Sequence, residues 1–384
     1  MQNIKNQFAI SVIIPSFNGE NCINEAIESV LNQDFNKEKY EILIIDNAST
    51  DNTSSISKEL IEQNQNYSIK YFYEAVSGLL SARHRGVLES KGEILVFIDD
   101  DIIADKHWLS SIYHTFQKYK DVHLVGGKNL PEYETKPPKW LKYFWKNIDS
   151  ETKSCAYLSL FDGGNSEKEI DPNYIWGLNF SIRKETILEL GGFNPDTYPK
   201  ALQRFQGNGE TGLTIKLKEQ GLKAMYQPKT LVYHKIPKSR LTPDFFEKRN
   251  YFQGVCDSYT HIRNNKKLVI EQETTKPEII NTEKESFLNK LHKAVNPIKL
   301  SVFLYNYILR KFKFLKYRLS AEHKASVIFN KMEKAYKAGF QFHQDEVKND
   351  KSLLEWILKE NYWEYKPPEF EKHLSNNNKD IKSY

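Results

Sequence analysis

Along residues 8–126, blocks of apolar residues alternate with stretches whose apolar positions recur every three or four residues. The blocks Phe8–Ile14, Glu41–Ile45, Ile69–Tyr73, Ile94–Ile98 and Val122–Val125 read as strands. The stretches Asn21–Asn32, Thr53–Glu62, Leu79–Ser90 and Trp108–Lys118 read as helices. In the first helix Ile23, Ile27, Val30 and Leu31 share a face, with Asn21 as the expected N-cap. Strands alternating with short helices predict a mostly parallel sheet covered on both faces. Such sheets bind ligands beyond the carboxyl ends of their strands. Pro15-Ser16-Phe17, Asp46-Asn47 and Asp99-Asp100-Asp101 all fall at those ends.

The alternation breaks at residues 128–175, where Pro131, Pro137, Pro138, Trp140 and Trp145 suggest an irregular excursion. A lid, a wall of an acceptor pocket and a surface loop are all compatible with it. Order returns at Tyr174–Ile182, followed by a helix at Lys184–Leu190 that Gly191-Gly192 ends. Gly209–Gln220 reads as a helix, and Leu222–Tyr226 and Leu231–His234 as strands. From about Thr242 the pattern is helical, with a polar stretch at Thr274–Glu283. This predicts a catalytic domain over 1–237 and a helical region over 238–384.

Composition narrows the class. A chain of 384 residues is ample for a sizeable core. No apolar run approaches the ~20 residues of a membrane span, and Met1–Gln7 has no apolar core of the kind a signal peptide needs. Cys22, Cys155 and Cys256 are far apart, which argues against a disulfide framework or a zinc site and suits the cytoplasm. A net charge of +5 with no concentrated basic stripe in the first 237 residues speaks against nucleic acid as a partner.

The densest chemistry is the aspartate triplet behind Ile94–Ile98. Carboxylates that close raise one another's pKa unless positive charge separates them. A divalent cation shared with a substrate diphosphate is the usual remedy. Asp99 and Asp101 are two apart and point the same way if the strand continues. In a turn, Asp99 would meet a sugar and Asp101 the metal, with Asp100 the alternative ligand. Four further groups accompany it. Asp46-Asn47 after a strand suits a base and ribose, or else an Asx turn, a frequent feature of strand ends. Arg83, on a helix that also carries His84 and Arg85, suits phosphate or base, or else a solvated face. Glu210, in the first turn of a helix, is either a dipole partner or a general base. His234 at a strand end is either structural or a third metal ligand.

In order, the segments SVIIPSFN, ILIIDNASTDNT, GLLSARHRGV, GEILVFIDDD, WGLNFSIRKETILELGGFN, GNGETGLTIKLKEQG and VYH resemble the family 2 glycosyltransferases with the GT-A fold over roughly residues 8–237. The resemblance implies a Rossmann-like sheet and an inverting transfer of a sugar from a nucleoside-diphosphate sugar, UDP-linked by default, to a glycan or lipid-linked acceptor. It implies Mn2+ or Mg2+, and a setting in bacterial cell-surface polysaccharide synthesis. By the same resemblance Pro15, Ser16, Phe17, Asp46, Asn47, Arg83, Asp99 and Asp100 belong to the nucleotide pocket. Trp176, Gly177, Leu178, Asn179 and Gly209 belong to the sugar and acceptor floor. Asp99, Asp101 and His234 are the metal ligands and Glu210 is the base. Gly207 and Gly209 would let backbone approach the acceptor.

Three departures stand out. His84 replaces the Asn of the ARN motif, Gly209-Glu210 replaces an acidic pair, and Asn47 replaces a second Asp. A nucleotidyltransferase on a related sheet wants a basic Gly-rich loop after the first strand, and Pro15–Asn21 has no Lys or Arg. A non-catalytic module would not need Asp99–Asp101 together with Glu210.

In the C-terminal region Val302–Tyr305, Tyr307–Leu309, Phe312, Phe314 and Leu315 interleave with Lys299, Arg310, Lys311, Lys313, Lys316 and Arg318. That pattern suits a helix on the cytoplasmic face of an anionic membrane. It also suits a face packed on the catalytic domain or on a second copy of the chain.

Overall fold

The computed structural model describes residues 8–265 and 320–370. Its main sheet has eight strands in the order β11-β13-β6-β12-β4-β1-β2-β3. These are β1 (Phe8–Ser16), β2 (Tyr40–Asp46), β3 (Ile69–Tyr73), β4 (Gly92–Phe97), β6 (Val122–Gly126), β11 (Lys168–Glu169), β12 (Phe180–Arg183) and β13 (Lys223–Tyr226). β3, β2, β1 and β4 run parallel, as alternation with helices requires. β12 enters antiparallel between β4 and β6, so the sheet is mixed at that side.

β1 is buried along nearly its whole length, and its side chains divide by parity. Ile10, Val12 and Ile14 join Ile42, Ile44, Ile94, Val96 and Ile98 in one core. That core is covered by α1 (Ile23–Leu31), α2 (Thr53–Gln63) and α4 (Trp108–Lys118). Ile13, Leu43, Ile45, Leu95 and Phe97 face the other core. It is covered by α3 (Leu79–Glu89), α5 (Lys184–Glu189) and α6 (Gly209–Glu219). α1 begins at Ile23 with Cys22 at its N-cap and no side-chain cap, so Asn21 does not serve as predicted.

The excursion at 128–175 is a second sheet rather than a loop or lid. Its order is β5-β14-β7-β10-β9-β8. The strands are β5 (Ile102–Ala104), β7 (Asn129–Tyr133), β8 (Lys146–Asn147), β9 (Lys153–Cys155), β10 (Leu160–Asp162) and β14 (Val232–Ile236). Pro131 is accommodated because β7 pairs along its length with β14, while β10 meets it at Asn129 alone. Trp140, Leu141 and Phe144 build a third core with Phe246, Ile328 and Met332.

Those last residues belong to α7 (Pro243–Asn265) and α8 (Ala321–Asn349), which is followed by α9 (Lys351–Ile357). Tyr259, Ile262, Val347, Leu353, Trp356 and Tyr362 fill the core on the α3 side of the main sheet. The Trp356 indole N–H donates to the Phe205 carbonyl at 3.0 Å, and the Tyr259 and Tyr362 hydroxyls meet at 2.6 Å. The helical region and residues 8–237 therefore share a core. The interleaved basic and aromatic segment at 299–318, and the polar stretch at 274–283, lie outside the described residues.

Candidate active site

A cavity of about 820 Å³ opens beyond the carboxyl ends of β1, β2 and β4. Strand register explains why three motifs meet there. Ile13 pairs with Phe97 and Ser16 with Asp46, so the chain after Phe97 runs level with Pro15-Ser16-Phe17. Pro15, Ser16, Phe17, Asn47, Arg83, Asp99, Asp100 and Asp101 line the cavity, as do Trp176, Gly177, Leu178, Glu210 and His234. Phe17 is an exposed ring at the mouth.

The three aspartates diverge, and each finds a partner in the protein. Asp99 Oδ1 lies 3.6 Å from an Arg83 nitrogen and has no hydrogen bond. Burial pushes its carboxyl up, with Asp101 and Glu210 adding to the shift and Arg83 opposing it. Asp100 accepts from the Ser16 hydroxyl at 2.5 Å, and burial raises it to about 7. Asp101 lies 2.8 Å from Arg240 and 3.4 Å from His234 Nε2. Burial opposes its ionisation, but the Arg240 guanidinium at 2.8 Å works against burial, and the carboxyl lies below its ordinary value. A metal is thus not the only charge that makes the triplet tolerable. Arg83 and Arg240 stand on either side of it.

The residues fit a divalent cation in part. His234 Nδ1 donates to the Leu158 carbonyl at 2.9 Å, which leaves Nε2 as the acceptor, at 2.7 Å from Arg240 Nη1. An imidazole lone pair and a carboxylate therefore converge on one cation-binding spot, where the Arg240 guanidinium lies. Asp99 is turned to Arg83 instead of joining them. Among the described residues no three His, Cys, Asp or Glu side chains form a ligand set. A cation held by Asp101 and His234 would take its other oxygens from a diphosphate and water.

Arg83 is buried beneath the floor, and its solvated-face alternative is excluded. It meets Glu210 Oε2 at 3.2 Å, Asp99 at 3.6 Å and Asp196 at 3.9 Å. Glu210 Oε1 accepts from the Gly177 N–H at 3.3 Å. Burial raises the Glu210 carboxyl, but Arg83 and the backbone N–H bonds bring it below its ordinary value.

Three expected site residues face away from the cavity. Asp46 is buried, with one oxygen accepting from Ser49 N–H at 2.9 Å and the other from the Tyr71 hydroxyl at 2.7 Å. Asn179 accepts from the Trp108 indole at 2.9 Å and donates to the Thr230 carbonyl at 3.0 Å. Gly209 lies behind the wall, and a Cβ there would strike Asp196. A Cβ on Gly207 would strike the Tyr259 ring. Both glycines admit protein rather than an acceptor.

The departures at 47 and 84 have structural causes. Asn47 accepts from Gly78 N–H at 2.7 Å and donates to the Val76 carbonyl at 2.7 Å, a pairing a carboxylate could not make. His84 Nδ1 meets the Tyr362 carbonyl at 3.0 Å, Nε2 accepts from Phe193 N–H at 2.9 Å, and the ring lies 4.3 Å from that of Trp363. Burial lowers its pKa to about 3, so it is a neutral anchor for the C-terminal segment.

Comparison with known proteins agrees with the motifs. Residues 11–185 match the family model "Glycosyl transferase family 2". Over that segment this chain is similar to the family 2 glycosyltransferases. A relative in Haloferax volcanii, glucosyl-dolichyl phosphate glucuronosyltransferase, is 22% identical over 250 residues, covering 64% of this chain and 75% of its own length. A Methanococcus voltae relative is a dolichyl N-acetyl-alpha-D-glucosaminyl phosphate 3-beta-D-2,3-diacetamido-2,3-dideoxy-beta-D-glucuronosyltransferase. It is 33% identical over 159 residues, 41% of this chain, and the match spans less than half (46%) of that relative. A solved mannosyltransferase from Pyrobaculum calidifontis, in complex with GDP-Man and Mn2+, aligns with a TM-score of 0.48 at 17% identity over 92% of this chain and 84% of that one. That likeness is too remote to bear on the site.

Sequence reasoning missed several residues of the cavity. Asp196, Arg240, Lys248 and Arg249 all line it. Arg240 and α7 fall after the last motif. The signal for Asp196 was charge balance, since a buried arginine needs carboxylates around it.

Proposed function

We propose that this chain is an inverting glycosyltransferase that moves a sugar from a nucleoside-diphosphate sugar to a hydroxyl of a lipid-linked or other glycan acceptor. The observation that carries this reading is the convergence of Glu210, Arg83 and the Asp99–Asp101 turn on one cavity at the strand ends. The relatives' names, which describe glucuronosyl transfer to dolichyl-phosphate sugars, support a lipid-linked acceptor.

Glu210 is the base. Its depressed pKa keeps it ionised at neutral pH, ready to accept the proton of the attacking hydroxyl. Gly177 N–H and Arg83 fix the direction of its carboxylate. In this reading the exposed Phe17 ring at the cavity mouth, with Ser16 and Asp100 beside it, would border the nucleotide. Asp101 and His234 would hold Mn2+ or Mg2+, and such a cation, when bound, neutralises a diphosphate leaving group. Arg240 supplies positive charge at the same place.

No helix among the described residues is long and apolar enough to cross a membrane. A cytoplasmic enzyme that visits the membrane face to meet a lipid-linked acceptor is consistent with this. UDP release from a panel of UDP-sugars tests the reading. Glu210→Gln should lower turnover by about 10²–10⁴-fold, the usual worth of a general base, while UDP affinity stays near the wild-type value. Near-normal turnover in that variant removes Glu210 from the mechanism.

A further inference from the structure

The family pattern expects two adjacent acids at 209–210, and this chain has one. The second carboxylate in the neighbourhood is Asp196, in the loop between α5 and α6. A Cβ built on Gly209 would lie 2.6 Å from Asp196 Oδ2 and 2.9 Å from its Cγ. The Asp196 carboxylate thus occupies the space into which a side chain at 209 would project. Backbone bonds keep it there. Gly209 N–H donates to the Pro195 carbonyl at 3.2 Å, Asn194 N–H to the Gly209 carbonyl at 3.2 Å, and Leu79 N–H to the Asp196 carbonyl at 3.1 Å. Asp196 and Glu210 face the same Arg83 nitrogen, at 3.9 and 3.2 Å.

We propose that Asp196 supplies the missing second acid from a separate loop, and acts as a positioning residue that keeps Glu210 basic enough to take the acceptor's proton. This rests on the reading of Glu210 given above. Arg83 alone would hold Glu210 as a weak base. A second carboxylate on the same guanidinium competes for its charge and repels ionised Glu210, which restores affinity for a proton. In the step itself the acceptor oxygen bonds to the anomeric carbon. The carbon–oxygen bond to the diphosphate breaks, with its electron pair leaving on the diphosphate. The acceptor's proton ends on Glu210, within the carboxylate pair.

The surroundings suit that role. Asp196 faces Arg83 of α3, Glu210 of α6, Arg249 and the Cys256 thiol of α7, and its neighbour Thr197, whose hydroxyl it accepts at 3.0 Å. Burial, then the Glu210 charge, lift Asp196 to about 6, against the pull of Arg83 and Arg249. The pair therefore titrates as a unit.

Moving the acid tests the proposal. Gly209 has φ +51°, a conformation that Asp tolerates better than most residues. Asp196→Asn should lower kcat for UDP release from UDP-glucose, UDP-N-acetylglucosamine or UDP-glucuronate by about 10–100-fold, less than the full worth of a general base because Glu210 remains. UDP affinity by calorimetry should be unchanged. The acid limb of kcat should move to lower pH, because only Glu210, with its depressed pKa, then remains. Asp196→Ala combined with Gly209→Asp should recover most of the lost kcat, while Gly209→Asp alone, which clashes with Asp196, should not gain.

A readout independent of turnover is the pH dependence of stability. A folded-state pKa above the unfolded value means the native state binds more protons between them, so stability falls as pH rises through that window. The wild type should therefore lose melting temperature between about pH 4 and pH 6 relative to Asp196→Asn, since Asp196 is raised from the ordinary carboxylate range to about 6. An unchanged kcat and acid limb in Asp196→Asn overturns the proposal, as does a well-folded double variant with no recovery. If the wild type releases no UDP but the stability difference is present, the functional reading fails and with it the catalytic role of the pair. If turnover is normal and the difference is absent, the inference alone fails.

Discussion

Single residues in this cavity are chosen for what they must neutralise. Arg83 is buried and faces carboxylates from three separate segments, at Asp99, Asp196 and Glu210. Burying a guanidinium is tolerable only when opposite charge and hydrogen bonds compensate it. Asn47 shows the same economy with neutral groups. Its amide both donates and accepts, linking the end of β2 to the start of α3, so an Asp there would leave the Val76 carbonyl facing a carboxylate. Asp101 is the residue to which a metal requirement should trace. In calorimetry with and without Mn2+, Asp101→Ala should abolish the metal-dependent part of UDP affinity and leave the metal-free part near its wild-type value. A variant that still gains affinity on adding Mn2+ would show that the cation binds elsewhere. The triplet, Glu210 and Arg83 were legible in the sequence because each sits in a motif of fixed order. Asp196 was not, because its importance comes from a distance across the fold and from the absence of a side chain at 209.

At the scale of elements, the helices and strands of residues 8–126 were legible because a two-residue or 3.6-residue period needs no tertiary information. Helix α4 occupies Trp108–Lys118, as the periodicity requires. The second sheet was not legible. Its strands β5 and β8 to β10 are two or three residues long, too short to carry a period. The crossing of α7 and α8 depends on two glycines. A Cβ on Gly254 would lie 2.1 Å from the Tyr336 carbonyl oxygen, and one on Gly339 would lie 2.0 Å from that of Tyr251. Backbone oxygens cannot swing aside as side chains do, so the helices must separate. Gly339→Val should cost about 1–3 kcal/mol, the usual penalty for overpacking, and lower the melting temperature by several degrees. It should also reduce turnover, because α7 carries Lys248 and Arg249 into the cavity wall. An unchanged melting temperature would mean that the crossing is not tight.

For the whole molecule, the expected division at 237 does not mark separate cores. Trp356, Ile357 and Tyr362 pack with Phe205, Leu213 and Tyr198, and Tyr365 donates to Glu74 at 2.8 Å. A fragment ending at residue 237 should expose that apolar face, and it should show no cooperative urea transition and no UDP binding. A fragment that unfolds cooperatively would restore the two-domain division. The sequence by itself determined the alternation of strands and helices, the strand ends at which the cavity opens, and the order of the motifs that hold its carboxylates and arginine. Those are local properties, carried by periodicity and by residue order. Only the tertiary structure decided which of these side chains face the cavity and which are consumed by hydrogen bonds within the protein. It also decided that α7 closes the cavity and that Asp196 lies where residue 209 has no side chain. Proximity across hundreds of residues is set by packing, and packing leaves no periodic trace in the chain.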